Sequence, residues 1–303
     1  MTDDLFEPVM AIPDISSQKQ IDDAVRDNQT FHPGFVWIAI RQDLRDQVNA
    51  RWAVVKHLCE SNFVTEFRGK DTYYARLWEL NLRYLFASKL TRAPAEGEPD
   101  LVADDYVIEV GVPAPSDVPD MNFDGMLYTY PTDEIARRVT KVLTDKLGQF
   151  NRRLAGSGSR IDYSATPYVI AVGLPQREFR DAVHMNGMDI VESVLMGAGP
   201  LQLTISADGI RGNVNVSSKG TMTTRNGTEF DIAYFQRDEW KGVSAVLWSA
   251  EWLPGIDDIR ILLNPNATIP LDPGTLGATP RVITYTKTEV GYNRDKSLKE
   301  DEA

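Results

Sequence analysis

Between Glu98 and Pro113 the chain reads Glu-Pro-Asp-Leu-Val-Ala-Asp-Asp-Tyr-Val-Ile-Glu-Val-Gly-Val-Pro, and Glu109 is the residue in it that most constrains the fold. Its neighbours, Tyr106 to Ile108 and Val110 to Val112, form the β-branched and aromatic run of a strand covered on both faces. An ionised carboxylate there costs several kcal/mol unless something pairs with it. Asp100, nine residues earlier, is the nearest candidate neighbour, but two carboxylates do not neutralise each other. A divalent cation or a basic side chain has to complete the group.

At 303 residues and 42% hydrophobic content, the chain can bury a substantial core in one large domain or two modest ones. Its single cysteine, Cys59, excludes an intramolecular disulfide and suits a reducing compartment. The acidic start, Met-Thr-Asp-Asp-Leu-Phe-Glu, lacks the basic and apolar regions of a secretory signal. No apolar run approaches the roughly 18 to 20 residues of a membrane span. The expectation is a cytoplasmic protein with no membrane partner. A net charge of -12 argues against a surface uniformly attractive to nucleic acid. Residues 131–160 run the other way, with seven basic side chains against three acidic ones, so a local basic strip for nucleic acid is expected there.

Residues 1–12 read as a loose acidic arm and residues 14–30 as a first helix, with Asp14 or Ser16 as its cap. Phe35 to Ile40 reads as a short strand. Helices are expected over 43–62 and over the aromatic, leucine-rich 71–90. Two short strands follow near 101–103 and 106–112, with Asp104-Asp105 as their turn, and then a Pro-rich acidic loop over 113–131. Residues 133–154 carry one apolar stripe of a strong helix, and 167–172 a fully buried strand. From about residue 200, alternating stretches separated by Asp208-Gly209, Lys219-Gly220 and Asn226-Gly227 read as β-hairpins. Further strands are expected at 243–248 and 260–263, and a frayed polar tail after Glu289. The expected organisation is an N-terminal helical segment (1–69), an α/β core (70–175), a β-rich C-terminal portion packed on that core (176–288) and the tail (289–303).

Glu79 on the aromatic helix, Asp100 and Glu109 on adjacent strands, and Lys146 on the next helix are the residue types that metal-assisted phosphodiester hydrolysis needs. Carboxylates hold a hard divalent cation, the cation polarises the phosphate and acidifies a water, and a lysine orients that water or offsets developing charge. Pro99-Asp100 followed by Glu109-Val110-Gly111 in a strand pair after a Glu-bearing helix resembles the PD-(D/E)XK phosphodiesterase superfamily, the restriction-endonuclease-like nucleases. The resemblance spans about residues 73–172. It implies an α/β fold with a restriction-endonuclease-like mixed central sheet flanked by helices, to which the β-rich C-terminal portion would be an extension. It also implies Mg2+ or Mn2+ bound by Asp100 and Glu109 with Glu79 in support. The family's lysine position is Gly111 here, and the stretch from Arg138 to Lys146 resembles members that supply the lysine from the following helix. Lys146 would then assist the attacking water. Arg138 and Gln149 on the same helix are the candidate substrate-binding side chains.

Plainer readings stand beside these. Asp100 after Pro99 suits a turn, Glu79 can pair with Arg76 or Arg83 at helical spacing, and Arg138 and Lys146 can belong to a solvated helix face. Glu109 can sit in a structural ion pair with a helix arginine. His32, His57 and His184 have no metal-ligand spacing, Ser157 and Ser159 follow a helix rather than a strand, and Gly197-Ala-Gly199 lacks the pattern of a phosphate cradle. Two rival functions stay open: a catalytically inactive nuclease-fold binding or scaffolding protein, and an unrelated α/β ligand- or protein-binding protein.

Overall fold

Alternation of apolar side chains along short strands builds one mixed sheet with a separate core on each face. The computed structural model describes residues 4–6, 18–28, 30–114, 132–156, 160–174, 189–205, 211–224, 226–278, 280–288 and 291–295. Five helices come first: α1 (Gln18–Asp27), α2 (Pro33–Ile40), α3 (Gln42–Val55), α4 (Phe63–Arg68) and α5 (Tyr73–Leu85). Strands β1 (Leu90–Arg92), β2 (Leu101–Ala103) and β3 (Val107–Gly111) follow, then the long helix α6 (Thr132–Ala155) and β4 (Tyr168–Gly173). The rest comprises α7 (Ile190–Met196), β5 (Ala198–Ile205), β6 (Arg211–Ser218), β7 (Thr221–Thr223), β8 (Glu229–Asp231), β9 (Ala245–Ser249), β10 (Arg260–Leu263), β11 (Arg281–Ile283), β12 (Tyr285–Thr288) and β13 (Gly291–Arg294).

The seven-stranded sheet has the order β1-β2-β3-β4-β9-β10-β11. Strands β1 to β3 are antiparallel, β3, β4 and β9 are parallel, and α6 makes the crossover that a parallel β3–β4 pair requires. Ile108 and Val110 face the core shared with Leu77 and Leu80 of α5. Val107 faces the core shared with Ile135, Val139, Leu143 and Leu147 of α6. One sheet spans both sides of residue 175: β9 continues it beside β4, and β10 and β11 extend it, while β5 to β8, β12 and β13 pair in two-stranded sheets of their own.

Several local expectations change. The run Phe35 to Ile40 is helical, because Pro33 starts α2 and His32 Nδ1 accepts the Gly34 N–H at 2.9 Å. Burial holds His32 down at about 4, so it stays neutral and keeps that acceptor. An apolar run buried on nearly every side shows neither period. Within the supposed loose arm, Leu5 and Phe6 are buried, Phe6 stacking on Phe35 while Arg68 Nε donates to Leu5 O at 2.8 Å. The polar tail also contributes β13, which pairs with β12. Arg294 Nε donates to buried Glu192 at 2.7 Å and Asn266 Nδ2 to the Tyr292 hydroxyl at 2.6 Å, anchors too distant in sequence to be read locally. The caps proposed at Asp14 and Ser16, the hairpin turn at Asp208-Gly209 and the loop over 115–131 lie outside the described residues.

Candidate functional site

The antiparallel register pairs Leu101 with Ile108 and Val102 with Val107, so one step further it sets Asp100 opposite Glu109. Asp100 Oδ2 accepts the Val110 N–H at 2.7 Å, which locks the acid to the strand that carries its neighbour. Glu109 is 3% exposed and projects toward α6. There Lys146 Nζ donates to its Oε1 at 3.1 Å, and the Arg153 guanidinium donates to its Oε2. Burial, with Asp100 adding to it, raises the Glu109 pKa, while Lys146 and Arg153 pull it down. Basic side chains complete the group that the strand demands.

Gly111 leaves room for the Lys146 side chain to reach Glu109. It lies on the same face as Glu109, and a Cβ there would sit 2.5 Å from Val142 Cγ1 and 3.2 Å from Lys146 Cε. The stem of Lys146 thus runs through the space that a side chain at 111 would need. Gly111→Ala is expected to overpack this contact and to lower unfolding free energy by about 1–3 kcal/mol in urea titration. An unchanged midpoint would mean that α6 does not approach this closely. Gln149 Oε1 accepts from Lys146 Nζ at 3.3 Å and so orients the ammonium from one turn away. Arg138, two turns before Lys146, is half-buried on α6, whereas Arg137, Lys141 and Arg152 are exposed.

Glu79 sits in the other layer, on α5. Its Oε1 accepts from Arg83 Nε at 2.9 Å and its Oε2 from Arg76 NH1 at 2.5 Å, so both of the arginines expected as plain pairing partners are engaged. Arg83, fully buried, also donates to Asp100 O at 2.7 Å and to Leu58 O. Burial pushes Glu79 up to about 7 against the pull of both guanidinium groups, with Asp100 adding to the rise. A folded-state value above the unfolded one means that Glu79's contribution to stability is full below about pH 4.5 and is lost as pH rises through about 7. The stability of the wild-type chain minus that of Glu79→Gln should therefore fall by a few kcal/mol across that window in urea unfolding. A flat difference would contradict a raised Glu79.

Among the described residues, no group of three or more acidic, histidine or cysteine side chains is arranged to hold a metal ion. The donor set at Asp100 and Glu109 is all oxygen, the kind a hard divalent cation takes, and Glu109 already draws two positive groups. Glu79 does not fit as a third ligand, because α5 and α6 cover opposite faces of the sheet and its oxygens are held by arginines. Arg153 was not singled out by sequence reasoning. Its signal was its spacing, seven residues beyond Lys146 on the same face of one helix. Comparison of the chain with protein-family models, with curated proteins and with solved structures finds no match. No helix among the described residues is long and apolar enough to cross a membrane.

Proposed function

We propose that this chain is a divalent-metal-dependent nuclease of the PD-(D/E)XK kind, hydrolysing phosphodiester bonds of nucleic acid, with α5, β1 to β4 and α6 as a restriction-endonuclease-like core. The observation that carries this reading is the meeting of Lys146 with Glu109 opposite Asp100, across a strand and a helix separated by a long connection. The order of a helix, an antiparallel strand set bearing both acids, a crossover helix and a parallel strand supports it.

Asp100 and Glu109 are the side chains that would hold Mg2+ or Mn2+, which when bound supplies Lewis acidity toward the phosphate and the attacking water. Lys146, fixed by Glu109 and Gln149, presents a preorganised ammonium that orients the water and offsets the negative charge that develops on the phosphate. The exposed Arg137, Lys141 and Arg152 on α6 give the polyanion a local basic contact despite the net charge of -12. Glu79 acts through Arg83 on the Asp100 backbone.

The test is cleavage of duplex DNA, single-stranded DNA and RNA with and without Mg2+ or Mn2+, by the wild-type chain and by Glu109→Gln. Metal-dependent cleavage that Glu109→Gln removes is expected, and full cleavage by the variant would eliminate the site. A second reading, an inert nuclease-fold binding protein, is favoured by one fact: both Glu109 oxygens are already engaged by basic side chains. Under that reading Mg2+ gives no thermal stabilisation that Asp100→Asn abolishes.

A further inference from the structure

We propose that Arg153 is a positioning residue of this site, holding the segment that leads into Asp100 against Glu109; the inference rests on the nuclease reading for its catalytic consequence and on geometry alone for the clamp. One guanidinium serves three acceptors from two separate parts of the chain. Nε donates to Gly97 O at 2.9 Å, NH2 donates to Glu98 O at 3.0 Å, and NH1 donates to Glu109 Oε2. A planar fork of five N–H donors can do this, and a lysine ammonium, a point charge on a flexible stem, cannot reproduce it.

The side chain of Glu98 ties the start of this segment to β1, accepting from both Arg92 NH1 and NH2 and from the Ala95 N–H at 2.7 Å, whereas the segment's backbone carbonyls are the groups that Arg153 holds. Gly97 has a left-handed φ of +81°, and Glu98 N closes a tight turn on Ala95 O at 3.0 Å. Two residues on, Asp100 must arrive opposite Glu109 with Oδ2 on the Val110 N–H. Arg83 grips Asp100 O from the α5 layer, and Arg153 grips Gly97 O and Glu98 O from the α6 layer. The acid is thus held from both sides of the sheet. A plain counter-charge role does not account for Arg153, since Lys146 already neutralises Glu109 and two of the three Arg153 bonds go to uncharged carbonyls. Nor does favourable placement at a helix C-terminus, a role that exposed Arg152 fills while Arg153 turns inward.

The experiment compares wild type, Arg153→Lys and Arg153→Met as full chains by amide hydrogen exchange and by cleavage as a function of Mg2+ concentration. In both variants, exchange should rise at the Glu98 amide, which closes on Ala95 O, and at the Val110 amide while the β4 amides stay as protected as in wild type. In both, the Mg2+ concentration for half-maximal cleavage should rise by about 10–100-fold, the scale of lost ligand orientation, with substrate KM unchanged. An Arg153→Lys chain that matches wild type in exchange would overturn the proposal and leave Arg153 a counter-charge. So would exchange that rises equally throughout the chain, the mark of general destabilisation. If the wild type cleaves nothing, the nuclease reading fails while the exchange comparison still decides whether Arg153 is the clamp.

Discussion

Under the nuclease function proposed above, Lys146→Met is expected to slow metal-dependent cleavage by about a hundred- to ten-thousand-fold, the range for removing a group that assists proton transfer or meets developing charge. The loss should fall on kcat, because in the proposed mechanism the ammonium acts where charge builds in the transition state and contributes little to holding ground-state substrate. Folding should survive the change. Methionine fills the channel over Gly111 that the lysine stem occupies, and Glu109 keeps Arg153 as a partner. Single-turnover kinetics at saturating substrate, alongside urea unfolding of the same preparation, separates the two effects. A variant that cleaves within a few-fold of wild type would remove Lys146 from the chemistry, and with it the meaning attached to Gly111.

The largest stability effect is expected at Arg83. Arg83→Met removes a fully buried guanidinium that satisfies Glu79, Leu58 O and Asp100 O together. Removing one partner of a buried pair strands the other and costs about 3–5 kcal/mol, even where the intact pair contributes little net stability. Glu79 would keep only Arg76, which it shares with Glu66. Urea unfolding measures the loss, which should be largest above about pH 7, where wild-type Glu79 is ionised against Arg83, and smaller at about pH 5, where Glu79 is protonated with or without that arginine. A loss under about 1 kcal/mol in the higher range, or one that does not shrink in the lower, would show that this network is not the support for Asp100 described above.

These expectations rest on features of unequal legibility. The need of Glu109 for a partner could be read from seven consecutive residues, because burial of a continuous β-branched run follows from composition. Its basic partners were legible only in part. Lys146 stood out only through the resemblance to PD-(D/E)XK nucleases, whose lysine position is Gly111 here, whereas Arg153 looked like any helix-end arginine until its three acceptors were seen. The arginines that hold both oxygens of Glu79, expected as a supporting ligand, were harder to weigh for the opposite reason. The residue type of Glu79 suited a metal, and nothing local to residues 73–85 reveals which face of the sheet α5 covers.

The amino-acid order alone determined the hairpin of β2 and β3 with Asp100 opposite Glu109, and the helix α6 with its apolar stripe, since turn chemistry and side-chain periodicity act within a few residues. Only tertiary packing decided that β9 extends the same sheet beside β4 and that the tail contributes β13. The layers given to Glu79 and Glu109, and the two arginines that grip the lead into Asp100, were decided there too. Strand order and ion-pair partners depend on which distant surfaces bury together, a free energy spread over the whole core and carried by no single stretch of chain.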